Sequence, residues 1–555
     1  MTTSAPEAAA TAAPSAEPDV MSFFPLPTPR KSQEVVIREI DKAFKSGKRI
    51  VIVEAPVGSG KSAKAMTLAR QSGDAHVITP RKSLQDQYYD DFSEHVVLMK
   101  GRNAYPCTFE TPLTFYRKTV KAIKEGKVRS PMPGEQDCAS APCRNSEAVW
   151  RACTSGEGER PCPYQVAIET AQEHPIVIHN IHSFVFQTNF GGKFERRKLM
   201  IIDEAHEIEN VVRGFITKKF SVSRVLESSD IPNCETVEDW CDFFLEDRFV
   251  PEETPADAIR RQNDESYQSE RDQYIARVEQ LRMNHEYYGH DFTVKRSPLM
   301  MGRDVRGTTF EFVPHSIGNA AHKYLFDYGD NVLLMSGTIY DKDMYCKGIG
   351  VNPADAYFIR VPSSFPVANR PIYLKQDYQV DTSHRNWEDN FEEMITKIKK
   401  IMGIFKDVKG LIHAPSYDAM YQIATALGDP RVVTHDKGDL QQRLEEFYAS
   451  DQPQVFISPV CQQGVDFKGD RGRFQIVLRV PYANTSDPFM SHMVENNFSW
   501  YNYQALIVFG QMVGRVNRAE DDFGATFLMD ERFNRFISRN SKKLPQWLQK
   551  AFIYK

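Results

Sequence analysis

The chain reads as an α/β protein whose parallel sheets are divided between two lobes. Three observations predict this: short β-branched runs alternate with helix-compatible stretches, a glycine-rich loop follows the first run, and two carboxylates close the fourth. The runs are Arg49–Glu54, His76–Thr79, Ile176–His179, Leu199–Asp203, Asn331–Ser336, Lys409–Ala414, Gln454–Pro459, Phe474–Val480 and Ala525–Asp530. Their continuous apolar character suits strands covered by helices on both faces. They separate into one group before about residue 345 and another after about residue 355. Two stretches break the rhythm of the first group: a cysteine-bearing segment, 106–165, and a charged, helix-patterned segment, 213–295. The expected order is a tail (1–21), a first lobe in three parts (22–105, 166–212 and 296–350) interrupted by the cysteine insert and the helical insert, and a second lobe (351–555).

A length of 555 residues with 41% hydrophobic content allows several cores. The net charge of -5 and pI near 6.3 carry no global basic signature, so any contact with nucleic acid must rest on local patches. The first twenty residues hold no Lys or Arg and are rich in Ala, Pro, Ser and Thr, which argues for a disordered tail and against secretory or mitochondrial leaders. No apolar run is long enough to span a bilayer. The expectation is a cytoplasmic protein with no membrane contact.

The first run leads into Ala55-Pro56-Val57-Gly58-Ser59-Gly60-Lys61-Ser62 and a helix-compatible stretch to Arg70, the strand, loop and helix context of a phosphate loop. Gly58 and Gly60 let backbone N–H groups around Ser59 turn toward phosphate oxygens. Lys61 would reach the β and γ phosphates of ATP, and the Ser62 hydroxyl would hold Mg2+. The fourth run delivers Asp203-Glu204-Ala205-His206 at the carboxyl end of a strand, where α/β proteins bind ligands. Asp203 would hold Mg2+ through water and Glu204 would polarise the attacking water. Acidic residues at strand ends are common, and the pairing with the phosphate loop is what gives these two their meaning. Near the end of the chain, Gln511, Arg515 and Arg518 in Gln511-Met512-Val513-Gly514-Arg515-Val516-Asn517-Arg518 share one face of a helix by 3.6-residue spacing. A face of this kind, supplied by the second lobe, reaches the γ phosphate only when the lobes close.

With these residues the chain resembles the DEAH-type helicases of superfamily 2, and more narrowly their iron-sulfur family, which includes XPD and the bacterial helicase DinG. The resemblance runs over nearly all of residues 22–550. It includes Arg30 and Gln33, Thr79-Pro80-Arg81-Lys82, Ser336-Gly337-Thr338, Ala414-Pro415-Ser416-Tyr417 and Gln463-Gly464-Val465-Asp466-Phe467. Two departures are Gln463, where the family usually has Glu, and Val57, where it usually has Thr; neither removes a phosphate or metal contact. The resemblance implies two RecA-like lobes and ATP held between residues 58–62 and 203–206 on one side and Asp466, Arg515 and Arg518 on the other. It also implies 5′ to 3′ movement on single-stranded DNA with unwinding of forked or duplex DNA; a monomer is expected. Phosphate contacts themselves encode neither polarity nor a choice of DNA over RNA. Two other classes stay open: a translocase that moves without unwinding, and a scaffold on an inactive helicase fold.

Five of the nine cysteines, Cys107, Cys138, Cys143, Cys153 and Cys162, lie between 107 and 162, and in a reducing compartment such clustering favours metal over disulfides. Cys107 and Cys162 look like the first and last cluster ligands of the family. The set favoured for a [4Fe-4S] cluster is Cys107, Cys143, Cys153 and Cys162, with Cys138 as a spare. Zinc is the alternative, although short CxxC pairs are missing. Nearby, Phe115-Tyr116-Arg117-Lys118 continues into Lys121, Lys124, Lys127 and Arg129. This pattern suits either base stacking beside a phosphate track or a solvated helix face.

Overall fold

The computed structural model describes residues 18–108, 111–128, 131–132, 135–141, 162–263, 268–288, 291–302, 304–461, 465, 467–517 and 519–554. In chain order the strands are β1 (Ile50–Glu54), β2 (Ala75–Thr79), β3 (Val97–Met99), β4 (Ile176–Asn180), β5 (Arg197–Asp203), β6 (Lys218–Val222), β7 (Phe292–Met301), β8 (Asp304–Pro314), β9 (Gly329–Ser336) and β10 (Ala356–Arg360). They are followed by β11 (Ile372–Tyr373), β12 (Gly410–His413), β13 (Val432–Val433), β14 (Val455–Ser458), β15 (Phe474–Val477), β16 (Ala525–Leu528) and β17 (Phe552–Ile553).

Two seven-stranded sheets form the two lobes, in the orders β10-β1-β9-β5-β2-β4-β3 and β13-β14-β12-β15-β16-β11-β17. Every pairing in both is parallel. The continuous apolar runs arise because successive side chains of a strand enter opposite layers. In β1, Ile50 and Ile52 join one core while Val51 and Val53 join the other. All nine expected strands are present. The lobe division falls later than residue 350, because β10 pairs with β1 along its whole length and is an edge of the first sheet. Its alternating burial hid it from a search for continuous apolar runs. At the other end, residues 1–17 lie outside the described part, but packing begins before residue 22: Val20 is buried, and Asp19 pairs with Arg38 at 2.7 Å.

The 213–295 segment carries helices, as expected, at Val237–Phe244, Pro255–Asn263 and Glu270–Tyr288. It also carries strands. β6 and β7 flank β8 in an antiparallel three-stranded sheet, so the inserted module runs on to Pro314. A core of its own holds it together, with Phe220 stacked on Phe244 at 4.3 Å and Trp240, Phe310 and Phe312 around them. The foot of this sheet meets the second lobe, where Lys295 pairs with Asp487 at 2.6 Å and the rings of His315 and His492 stack at 3.7 Å.

The long helix Phe498–Val513 also touches the first lobe. Its Tyr503 hydroxyl donates to the Ile339 carbonyl at 2.9 Å, and Trp500 Nε1 donates to Glu209 at 2.7 Å. The Tyr340 hydroxyl stands only 1.9 Å from where a Cβ on Gly510 would lie, so only glycine allows this approach.

Candidate nucleotide site

The phosphate loop is shaped by the groups behind it. Gly58 (φ +74°) and Gly60 (φ +73°) are left-handed, and Gly60 caps the helix Lys61–Ser72, whose free N–H groups favour an anion. The loop carbonyls point outward and are held there: Arg30 Nη1 donates to the Gly58 carbonyl at 2.8 Å, and Lys64 Nζ donates to the Ser59 carbonyl. Gln33 caps the helix Lys31–Lys45 by accepting from the Arg30 N–H at 2.9 Å. Its amide occupies the space a Cβ at Gly60 would need, 2.1 Å away. Arg30 and Gln33 are thus brought to the loop, as their place in the family resemblance implied.

Lys64 was not read from the sequence as a site residue, because a lysine one turn into a helix looks solvated. It is buried, and among the described residues no carboxylate pairs with it. Burial, followed by the charges of Lys61 and Arg30, pulls it down to about 7. In the unfolded chain a lysine titrates near 10.5, so between pH 7 and 10.5 the unfolded state holds more protons and stability rises with pH. Lys64→Met is expected to flatten that rise, seen as Tm against pH. A polyphosphate beside Lys61 would restore the charge, so ATP binding at about pH 8 is expected to take up a proton. Calorimetry in two buffers of different ionisation enthalpy checks this; identical apparent enthalpies contradict it.

β5 delivers Asp203 buried and Glu204 at the cleft. Asp203 accepts from the Glu204 N–H at 2.8 Å and from the Tyr88 hydroxyl at 3.0 Å. Burial pushes its carboxyl pKa up, against the pull of Lys61. A buried carboxylate held beside a lysine and the Ser62 hydroxyl suits Mg2+, so the donor set fits that ion. Tyr88, which also bonds to Ser62, ties the two expected metal-holding groups together. One indirect signal points to it: Gln85, Tyr88 and Phe92 form the buried face of the helix Lys82–Phe92. His206 is buried and bonds through Nδ1 to Ser336 Oγ at 2.8 Å, joining the DEAH residues to Ser336-Gly337-Thr338.

From the second lobe, Gln511 Nε2 donates to Thr338 Oγ1 at 2.6 Å, and Arg515 donates to the Val465 carbonyl at 2.7 Å and to Gln511 at 3.4 Å. The expectation of one continuous helical face fails. The helix ends at Val513, and Arg515 lies beyond Gly514, its N–H bonded back to the Met512 carbonyl. Glycines at 510 and 514 weaken this end of the helix. Arg518 and Asp466 lie outside the described residues.

Lys61, Arg81, Glu204, Gln511 and Arg515 line one cavity between the lobes, together with Arg370. Four cations facing one carboxylate make an anion receptor. Its volume of about 70 Å3 is far below the few hundred Å3 of common ligand pockets, so the lobes must part to admit a nucleotide. A second cavity, of about 650 Å3, opens at the carboxyl ends of β12 and β15, lined by His384, Ser416, Arg479, Tyr482, Asn484 and Arg532 among others.

In the cysteine segment, Cys138 and Cys162 stand 3.8 Å apart at the start of the helix Pro163–Glu173. The residue read as a spare is the one that meets Cys162. Either thiol can donate to the other, and this contact, with help from the helix N–H groups, pulls the Cys162 pKa down. Two thiolates on one tetrahedral metal ion, at Zn–S of about 2.3 Å, also stand roughly 3.8 Å apart, so this spacing fits two ligands of one ion; in a [4Fe-4S] cluster each thiolate has its own iron and the sulfurs lie well farther apart. Cys107 is close enough to influence Cys138 electrostatically. Cys143 and Cys153 lie outside the described residues, among which no group of three or more metal-binding side chains is assembled. On the helix Leu113–Lys124, Arg117, Lys118, Lys121 and Lys124 are exposed while Tyr116 is buried. The basic row therefore faces solvent, and Tyr116 serves packing.

Fold and site together define a nucleotide-binding protein of two RecA-like lobes. Residues 26–229 match the family described as type III restriction enzyme, res subunit, and residues 400–551 match the helicase C-terminal domain. Human regulator of telomere elongation helicase 1 is 25% identical over 319 residues, which is 48% of this chain and 25% of that protein. The XPD helicase subunit of the general transcription and DNA repair factor IIH of Dictyostelium discoideum is 33% identical over 94 residues, 16% of this chain and 12% of that protein. The chain thus spans a quarter or less of the length of these curated relatives. Among solved structures, Xpd4 of S. tokodaii (14% identical, TM-score 0.55) covers 95% of this chain, and an XPD helicase (14% identical, TM-score 0.58) covers 96%; the match takes in the whole of each of those chains. The chain thus carries a match to the helicase C-terminal domain and shares the fold of the XPD structures.

Proposed function

We propose that the protein is an ATP-dependent DNA helicase that translocates 5′ to 3′ along single-stranded DNA and unwinds duplex, acting as a cytoplasmic monomer. The observation that carries this reading is the meeting of Lys61 and Glu204 from one lobe with Arg515 from the other around a single cleft. ATP phosphates would lie on the N–H groups of residues 58–61 and on Lys61, with Arg30 and Gln33 behind them. Ser62 and Asp203 would hold Mg2+, whose charge offsets that of the β and γ phosphates. Glu204 orients the attacking water. Arg515, with Arg518, answers the charge that develops as the phosphoryl group leaves, and Asp466 would contact the nucleotide from the same lobe. Because Gln511 links Arg515 to Thr338, closure and hydrolysis are coupled through side chains of both lobes.

DNA would cross the carboxyl ends of both sheets, where Arg479, Tyr482 and Arg532 offer cations beside an aromatic ring. Cys107, Cys143, Cys153 and Cys162, with Cys138 as the spare, would hold a [4Fe-4S] cluster in the insert. The test is a fork carrying a single-stranded 5′ arm, with ATP. Strand separation from that arm, by a brown protein absorbing near roughly 400 nm, is expected. Movement without separation would make the protein a translocase, and a colourless zinc protein would remove the cluster.

A further inference from the structure

The cavity between the lobes contains groups that phosphate binding leaves unused. Phe365 and Trp547 line it beside the cations. Arg370 stands over the Trp547 ring, 4.1 Å from its centroid, and 5.8 Å from the centroid of Phe365. It is 9% exposed. Its guanidinium donates to the Phe365 carbonyl at 2.8 Å, and its Nε is buried without a hydrogen-bond partner. Phe365 lies against the phosphate loop, with its Cζ 2.2 Å from where a Cβ on Gly58 would stand. Three planar groups thus run from the C-terminal helix Gln546–Ala551 to the loop expected to hold the phosphates.

A buried guanidinium with an unused donor and, among the described residues, no carboxylate paired with it is costly unless a ligand completes it. Burial pulls Arg370 down to about 10, and the other groups beside it are apolar planes. A phosphate would take the charge but leave the two rings idle. A nucleobase uses all three, since it stacks on aromatic and guanidinium faces and presents ring nitrogens to a free N–H.

We propose that Phe365, Arg370 and Trp547 receive the nucleobase of the bound nucleotide, with Phe365 filling that place when the cleft is shut. The proposal rests on the cleft being the nucleotide site. It adds a division of labour: the first lobe grips the phosphates, while the base is gripped by the interlobe connection and the second lobe. Recognition of the base then pulls the lobes together.

The test compares ADP with inorganic pyrophosphate, each titrated with Mg2+ into the full chain by calorimetry. Phe365→Leu and Trp547→Leu are each expected to weaken ADP about tenfold and to leave pyrophosphate within about twofold, while Phe365→Tyr keeps ADP affinity. Equal weakening of both ligands, or of neither, overturns the base receptor. So does a wild-type chain that binds ADP no more tightly than pyrophosphate. A wild-type chain that binds neither overturns the nucleotide reading itself, and pyrophosphate binding shows that each variant is folded.

Discussion

Glu204→Gln is expected to lower kcat for ATP hydrolysis by about a thousandfold while ATP affinity changes only a few fold. The two carboxylates of the DEAH sequence are placed for different tasks. Asp203 is buried and its oxygens are engaged by Tyr88 and a backbone N–H, which suits a fixed metal holder. Glu204 lines the cleft and adopts left-handed backbone angles (φ +53°) that a non-glycine residue takes at a cost of about 1–2 kcal/mol. Strain of that kind aims the side chain into the cleft. Glutamine keeps its shape and loses its ability to draw a proton from water. Single-turnover hydrolysis beside a binding titration separates the two effects, and an unchanged rate with Gln at 204 would remove Glu204 from the chemistry.

Arg515→Ala carries a comparable effect, about a thousandfold in kcat, by a different route. Its guanidinium is carried by the second lobe and oriented by the Val465 carbonyl and Gln511, which is itself bonded to Thr338 of the first lobe. Removing it leaves the phosphate loop whole, so nucleotide binding is expected to stay within a few fold. Arg515→Lys is expected to recover little, because a point charge cannot keep both the carbonyl and the amide contact while facing a phosphoryl group. Normal turnover in Arg515→Lys would mean that charge alone, without the fork of donors, is what the site uses.

What the sequence revealed of the fold follows from burial. Strands covered on both faces, such as β1 and β5, are continuous apolar runs and were legible at once. β10 alternates and was missed, which moved the apparent lobe boundary to the wrong side of it. β6 was hidden because its partner, β8, lies far along the chain beyond three helices, and no local pattern records such a pairing. Spacing alone placed Gln511, Arg515 and Arg518 on one helix, but that helix ends at Val513, with Gly514 as its cap. In the site, the loop and the carboxylates were readable because their chemistry is contiguous. Tyr88, Lys64 and the stack of Phe365, Arg370 and Trp547 were not, since each gains its role only from burial or from residues brought together across the fold.

Steady-state ATP turnover by the whole chain, with and without single-stranded DNA and beside Lys61→Ala, tests most directly the claim that lobe closure over a nucleotide is geared to a polynucleotide. The account predicts turnover that rises at least about tenfold with the strand and disappears without the Lys61 ammonium. Turnover indifferent to the strand, or surviving in Lys61→Ala, would contradict it.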